Sequence, residues 1–179
     1  MLDKFFIGLS GLLIGAGIVW FTCLPPREVG GMRTMHAAAA AGDVEQVQHF
    51  LVRGVNVNSR DTLGQTALLH ASWWGHEGVA NLLIKHGINV NAKSDLGFTA
   101  LQWAINHGHK RIVRLLLDHG AEVNIVSINE WTPLHEAATL GHDDIYAALV
   151  AKGASETAQD RWGKTPVDMK RASHEQMPA

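Results

Sequence analysis

A single cysteine, Cys23, stands in the 179-residue chain. It excludes an intrachain disulfide framework and any zinc site built on several cysteines. Charge is also scarce. Lys and Arg number 15 and Asp and Glu 17, for a net charge of −2. A dedicated nucleic-acid binder carries a basic patch or stripe, so no nucleic-acid partner is expected. Charged residues make up 18% of the chain against 46% apolar, too apolar for a disordered polar tail. There is no phosphate loop of Walker type, no G-x-S-x-G and no H-E-x-x-H. No catalytic residue and no cofactor is expected, and the reading is a protein that is not an enzyme.

What is present falls into two unlike parts. Phe5 to Leu24 reads FFIGLSGLLIGAGIVWFTCL, with fourteen apolar residues and no charge. Twenty helical residues rise about 30 Å, the thickness of a bilayer's hydrocarbon core. A helix satisfies the backbone there, because lipid offers no hydrogen bonds. Asp3 and Lys4 stop the run on one side and Pro25-Pro26-Arg27-Glu28 on the other. The expectation is a tail over 1–4, a single-pass membrane anchor over 5–24 and a linker over 25–32.

Alternatives stay open for this segment. A cleaved leader would make the protein an exported or periplasmic factor, although Trp20, Phe21 and Thr22 are poor cleavage flanks. A lipoprotein leader would lipidate Cys23, although Thr22 and Trp20 stand where such leaders carry a small and an aliphatic residue. Gly11-x-x-x-Gly15 is a pattern for weak self-association of membrane helices, but glycine is common in such helices without it. Lys4 on one side and Arg27 and Arg33 on the other leave the positive-inside count almost tied. A short tail before an apolar run resembles a signal anchor, which places the remainder on the extracytoplasmic or periplasmic side. A cytoplasmic facing is the alternative.

From residue 33 onward the sequence repeats with a period of 33. Thr66, Thr99, Thr132 and Thr165 form one column. Gly42, Gly75, Gly108 and Gly141 form another, and Gly54, Gly87, Gly120 and Gly153 a third. Asn58, Asn91 and Asn124 keep the step, as do His76, His109 and His142. A period of this length means a solenoid of stacked units. Within a unit, Thr132 is placed to cap a helix whose first residue is Pro133. Ala137-Ala138 keeps that helix slim, and Gly141 ends it. A second helix follows, with Ile112, Val113, Leu115, Leu116 and Leu117 as its apolar positions in the third unit.

These units resemble ankyrin repeats, a β-turn plus two antiparallel helices with a T-P-L-H-x-A signature. The matching segments start at Thr66-Ala67-Leu68, Thr99-Ala100-Leu101, Thr132-Pro133-Leu134 and Thr165-Pro166-Val167. The resemblance covers roughly 33–175, with 176–179 as a tail. It implies an all-α solenoid of about five units, three complete and two truncated as caps. It also implies that the signature His, present as His36 and His135, braces the turn of the next unit. Leu69 and Gln102 replace it, so those turns lose a bond. The turn glycine, Gly64, Gly97 or Gly163 elsewhere, is Glu130 in the fourth unit, where Asn129 is expected to take the positive φ.

The resemblance further implies that turn tips and first-helix ends meet a protein partner. The tips supply Leu63, Gln65, Leu96, Phe98, Asn129, Trp131, Trp162 and Lys164. The helix ends supply Trp73, Trp74, Asn106, His107, Thr139 and Leu140. Four of the six tryptophans fall in this set, and Trp is enriched at binding hot spots. The alternative is that these rings fold down over their own core, as expected for Trp103. Eleven histidines, densest at Asn106-His107-Gly108-His109, raise a metal or enzymatic reading. The family explains the His columns structurally and no ligand set is completed, so no metal is expected. His135 and Glu136 are not a dyad, since adjacent helical residues point apart.

Overall fold

The computed structural model describes residues 34–127 and 130–175, together with Leu13–Ile14 and Gly17–Ile18. Among the described residues there are nine helices. Four antiparallel pairs, α1 (Met35–Ala41) with α2 (Val44–Val52), α3 (Ala67–Trp74) with α4 (Glu77–Lys85), α5 (Ala100–Asn106) with α6 (Lys110–Asp118) and α7 (Pro133–Thr139) with α8 (Asp143–Ala151), are followed by α9 (Pro166–Glu175). Odd-numbered helices pack on one another in sequence as an inner layer, and α2, α4, α6 and α8 form an outer one. The core lies between the layers. Leu68, Leu101 and Leu134 repeat in it on the inner side, and Leu83, Leu116 and Leu149 on the outer side.

Local chemistry sets the ends of these helices. Thr99 Oγ1 accepts from the backbone N–H of Gln102, while the Gln102 side chain accepts from the Thr99 N–H at 3.1 Å. Thr132 and His135 do the same. The Thr132 N–H donates to Nδ1 of His135, which leaves the ring proton on Nε2, and Nε2 donates to the Lys164 carbonyl at 3.1 Å. That is the predicted brace onto the next turn, and His36 makes one to the Ser59 carbonyl at 2.9 Å. Leu69 can do neither. Thr66 accordingly caps α3 without a side-chain bond, and its buried hydroxyl has no partner among the described residues.

Units are also tied to one another. His109 Nε2 donates to the Trp73 carbonyl at 3.1 Å, and its ring lies against Gly75. A Cβ on Gly75 would stand 2.6 Å from that ring, at a φ of +81° that L side chains rarely adopt. Asn58, Asn91 and Asn124 accept through Oδ1 from the N–H of Asn89, Glu122 and Ser155 in the following unit.

The structure corrects one turn assignment. Glu130, with φ 60°, takes the positive-φ position in the fourth unit. It stands in register with Gly64, Gly97 and Gly163, and the turn demands left-handed backbone at that step whatever residue occupies it. Asn129 lies outside the described residues. Glu130→Gly is therefore expected to raise stability by about 0.5–1 kcal/mol, read from urea midpoints.

Leu13–Ile14 and Gly17–Ile18 pair as short antiparallel strands, β1 and β2, with Leu13 opposite Ile18. The sequence predicts helix at these four positions. That helix is one that lipid would impose, whereas Gly and β-branched Ile have weak helix preference of their own. The rest of the predicted anchor 5–24, including Gly11 and Gly15, lies outside the described residues, as do 25–32 and 176–179. Among the described residues no helix is long and apolar enough to cross a membrane.

Candidate functional site

In the turns of the second, third and fifth units the first residue sets how the tip side chains are presented. Asp61 Oδ1 accepts from the N–H groups of Leu63 and Gln65, both at 2.9 Å. Asp160 Oδ1 accepts from Trp162 and Lys164 at the same distance. Ser94 Oγ accepts from Phe98 at 3.2 Å. These side chains replace a missing backbone partner and lock the tip. Leu63, Leu96 and Trp162 then stand out, at 42%, 44% and 56% exposed. Lys164 is exposed beside them.

Gln65 is a correction, being only 7% exposed. It holds the fifth turn position, where Lys164 reaches out to solvent but the side chains of the second, third and fourth units are drawn inward. Phe98 shows the geometry one unit later, stacked on Trp103 with centroids 4.7 Å apart. Trp131 lies likewise along the buried His135, at 6.4 Å, and Phe98 and Trp131 are both half-buried.

At the helix ends the structure builds a continuous aromatic ladder. Trp73 meets Trp103 edge-on at 4.2 Å and His107 at 4.5 Å. His107 stacks on His109 at 5.9 Å. Trp103 is the hub. It packs on the core as expected, yet stays half-buried and joins Trp73 to Phe98. Sequence reasoning missed its place in the site because its column reads Ala37, His70, Trp103, Glu136, Met169, with no common chemistry. Trp74 and Leu140 are exposed at the rim, and Asn106 is half-buried. Thr139 is exposed, but its hydroxyl donates to the His135 carbonyl at 2.9 Å.

The electrostatics of this face are muted. Burial pushes the His107 imidazole down, against the opposing bond from Nδ1 to the Trp103 carbonyl. Burial likewise lowers His70, although Nε2 sits 2.8 Å from Asp61. Burial pushes the Asp61 carboxyl up, but bonds from His70, Gln65 and Leu63 outweigh it and hold it below the usual range. His107 and His109 spend their donors on backbone carbonyls. Among the described residues no group of three or more His, Cys, Asp or Glu could hold a metal ion.

Glu136 differs from all of these. It is 3% exposed, and burial pushes its carboxyl well above the ordinary glutamate value. Gln102 Nε2 donates to Oε1 at a long 3.4 Å, and Oε2 has no partner among the described residues. His135 bonds elsewhere, so the two adjacent residues form no dyad. Its column gives no sign of burial, because His70 and Trp103 at the same step are only partly covered.

A family described as ankyrin repeats in three copies matches residues 34–127 and again 92–160, more than half of the chain. The probable E3 ubiquitin-protein ligase XBOS33 of Oryza sativa subsp. japonica is 43% identical over 56 residues. The E3 ubiquitin-protein ligase XBAT33 of Arabidopsis thaliana is 45% identical over 56 residues. Each stretch is 31% of this chain and 11% of the relative, so the match spans about a tenth of those proteins' length. With the paired helices, the 33-residue columns and the His braces already in place, the chain belongs to the ankyrin-repeat family.

Proposed function

We propose that this chain is a protein-binding platform that grips its partner along the turn tips and inner helices and is held at a membrane by residues 5–24. The aromatic ladder of Trp73, Trp103 and Phe98, rimmed by exposed Trp74, Leu96 and Leu140, carries the reading. Contiguous exposed apolar surface of this kind marks an interaction site, and aromatic side chains dominate interface energetics. The platform acts by holding; catalysis forms no part of it. The uncharged twenty-residue run supports the tether, which raises the local concentration of the platform near membrane partners. The repeats would then face the extracytoplasmic side.

Proximity labelling from the C-terminus in native cells tests the platform. Trp74→Ala with Trp162→Ala is expected to strip partners from the labelled set while moving the Tm by no more than about 3 °C. An unfolded double variant would show these rings to be structural and defeat the reading. Intact-mass measurement tests the tether separately. A mature protein lacking Phe5–Leu24 would make it an exported factor instead.

A further inference from the structure

We propose that the face built by the turns and first helices of the third and fourth units accepts a cationic side chain, a lysine or arginine of the partner, with Glu136 as its counter-ion. This rests on the protein-binding reading and names the chemistry the partner must present. Glu136 is a buried carboxyl with one oxygen unpartnered and the other held only by a long bond from Gln102. Leaving a buried acceptor unpaired is costly, so a native fold that keeps one calls for an explanation.

The chain supplies no cation of its own there. Residues 94–108 and 127–141 contain Asp95, Glu130 and Glu136 and neither Lys nor Arg. Among the charged groups on the helices packed against α7, Arg171 of α9 is exposed to solvent, and the following are engaged elsewhere. Lys170 pairs with Asp143 at 2.9 Å, Asp144 with Lys110 at 2.8 Å, and Asp168 accepts from the Thr165 hydroxyl. His107 donates to a backbone carbonyl.

Aromatic residues stand near Glu136 in the repeat register, and Trp131 stacks along the adjacent His135. Glu136 stands one unit beyond Trp103 in the same column, with Trp131 at the preceding turn. A cation is attracted to the faces of such rings, and the stem of a Lys or Arg buries its methylenes along apolar surface while its head reaches a polar partner. Entry requires the cover over Glu136 to part. The indole Nε1 atoms of Trp103 and Trp131 are buried without a partner among the described residues, so hydrogen bonds do not pin either ring edge.

The test uses the full chain in mild detergent at constant ionic strength. Butylguanidinium and butylammonium are the probes, butanol is the neutral isostere, and the indole N–H resonances are followed by NMR. The cations should shift Trp103 and Trp131 saturably and butanol should not. Glu136→Gln should weaken cation binding by about tenfold or more with the helical signal intact. Equal shifts from butanol, or cation binding unchanged in Glu136→Gln, would overturn the proposal. Panning a random-peptide library separates this from the parent reading. Binders rich in Lys or Arg that fail on Glu136→Gln support the cation site. Binders without that enrichment, lost only on Trp74→Ala with Trp162→Ala, overturn the cation site and leave the platform standing. No binders together with no small-cation shift overturn both.

Discussion

Leu101→Ala is expected to lower unfolding free energy by about 3–4 kcal/mol. Leu101 is 1% exposed and lies on α5, the inner helix of the central unit. Truncation removes its transfer energy and leaves a cavity, because the helices on either side are held by their packing on their own outer helices and collapse onto it only in part. Leu96, at the tip of the same unit and 44% exposed, is the control. Its replacement by Ala should change stability by only about 0.5 kcal/mol. The solenoid adds a second signature. Stability in such folds is a sum of unit and nearest-neighbour terms, so weakening the middle uncouples the flanks. Urea unfolding of Leu101→Ala should therefore broaden, with a lower m-value than the parent. A sharp transition at an unchanged midpoint would mean that α5 is not central to the core.

Glu136→Gln is expected to act in the opposite direction. An unfolded glutamate titrates near its ordinary value of 4.5, whereas burial keeps the folded Glu136 protonated to higher pH. Between those two points the folded chain holds more protons than the unfolded one. Its stability is thus full below pH 4.5 and falls as pH rises toward the folded-state value, at up to about 1.4 kcal/mol per pH unit. Glutamine has no proton to lose. Given the cost of an imperfectly bonded amide, the variant should match or fall slightly below the parent near pH 4.5 and gain on it steadily as pH rises to 7. Thermal unfolding from pH 4 to 8 gives the comparison. Parallel curves for parent and variant would place the Glu136 carboxyl in contact with water. A group whose replacement stabilises the fold is one retained for something other than stability, as the cation site requires.

Most of the fold was legible because the repeat makes each structural demand visible several times. Threonine before alanine or proline, three residues ahead of Gln102 or His135, already contains both halves of a helix cap, and Leu69 in that place announces the bond that α3 lacks. The assignment failed where a single residue departs from its column. Glu130 is an unfavourable choice for positive φ, so reasoning from residue preference passed the strain to Asn129 and lost to the register of the turn. The binding face was legible in outline and not in depth. Leu63, Leu96, Trp74 and Trp162 are exposed as their positions suggest. Gln65 and Phe98 are drawn inward, because whether a fifth-position side chain reaches out or lies back depends on its neighbours. Glu136 was invisible for the same reason, since a carboxylate in a variable column reads as solvated until the helices packed around it are placed.

The asparagine bonds carry a further consequence. Each joins one unit to the next through identical donor and acceptor atoms, always thirty-one residues apart. Excising 94–126, or inserting a second copy of it, would leave an asparagine of that column facing the same backbone N–H at each seam. The length of this protein is thus adjustable in whole modules, and a lengthened version would extend its row of turn tips without any new kind of joint.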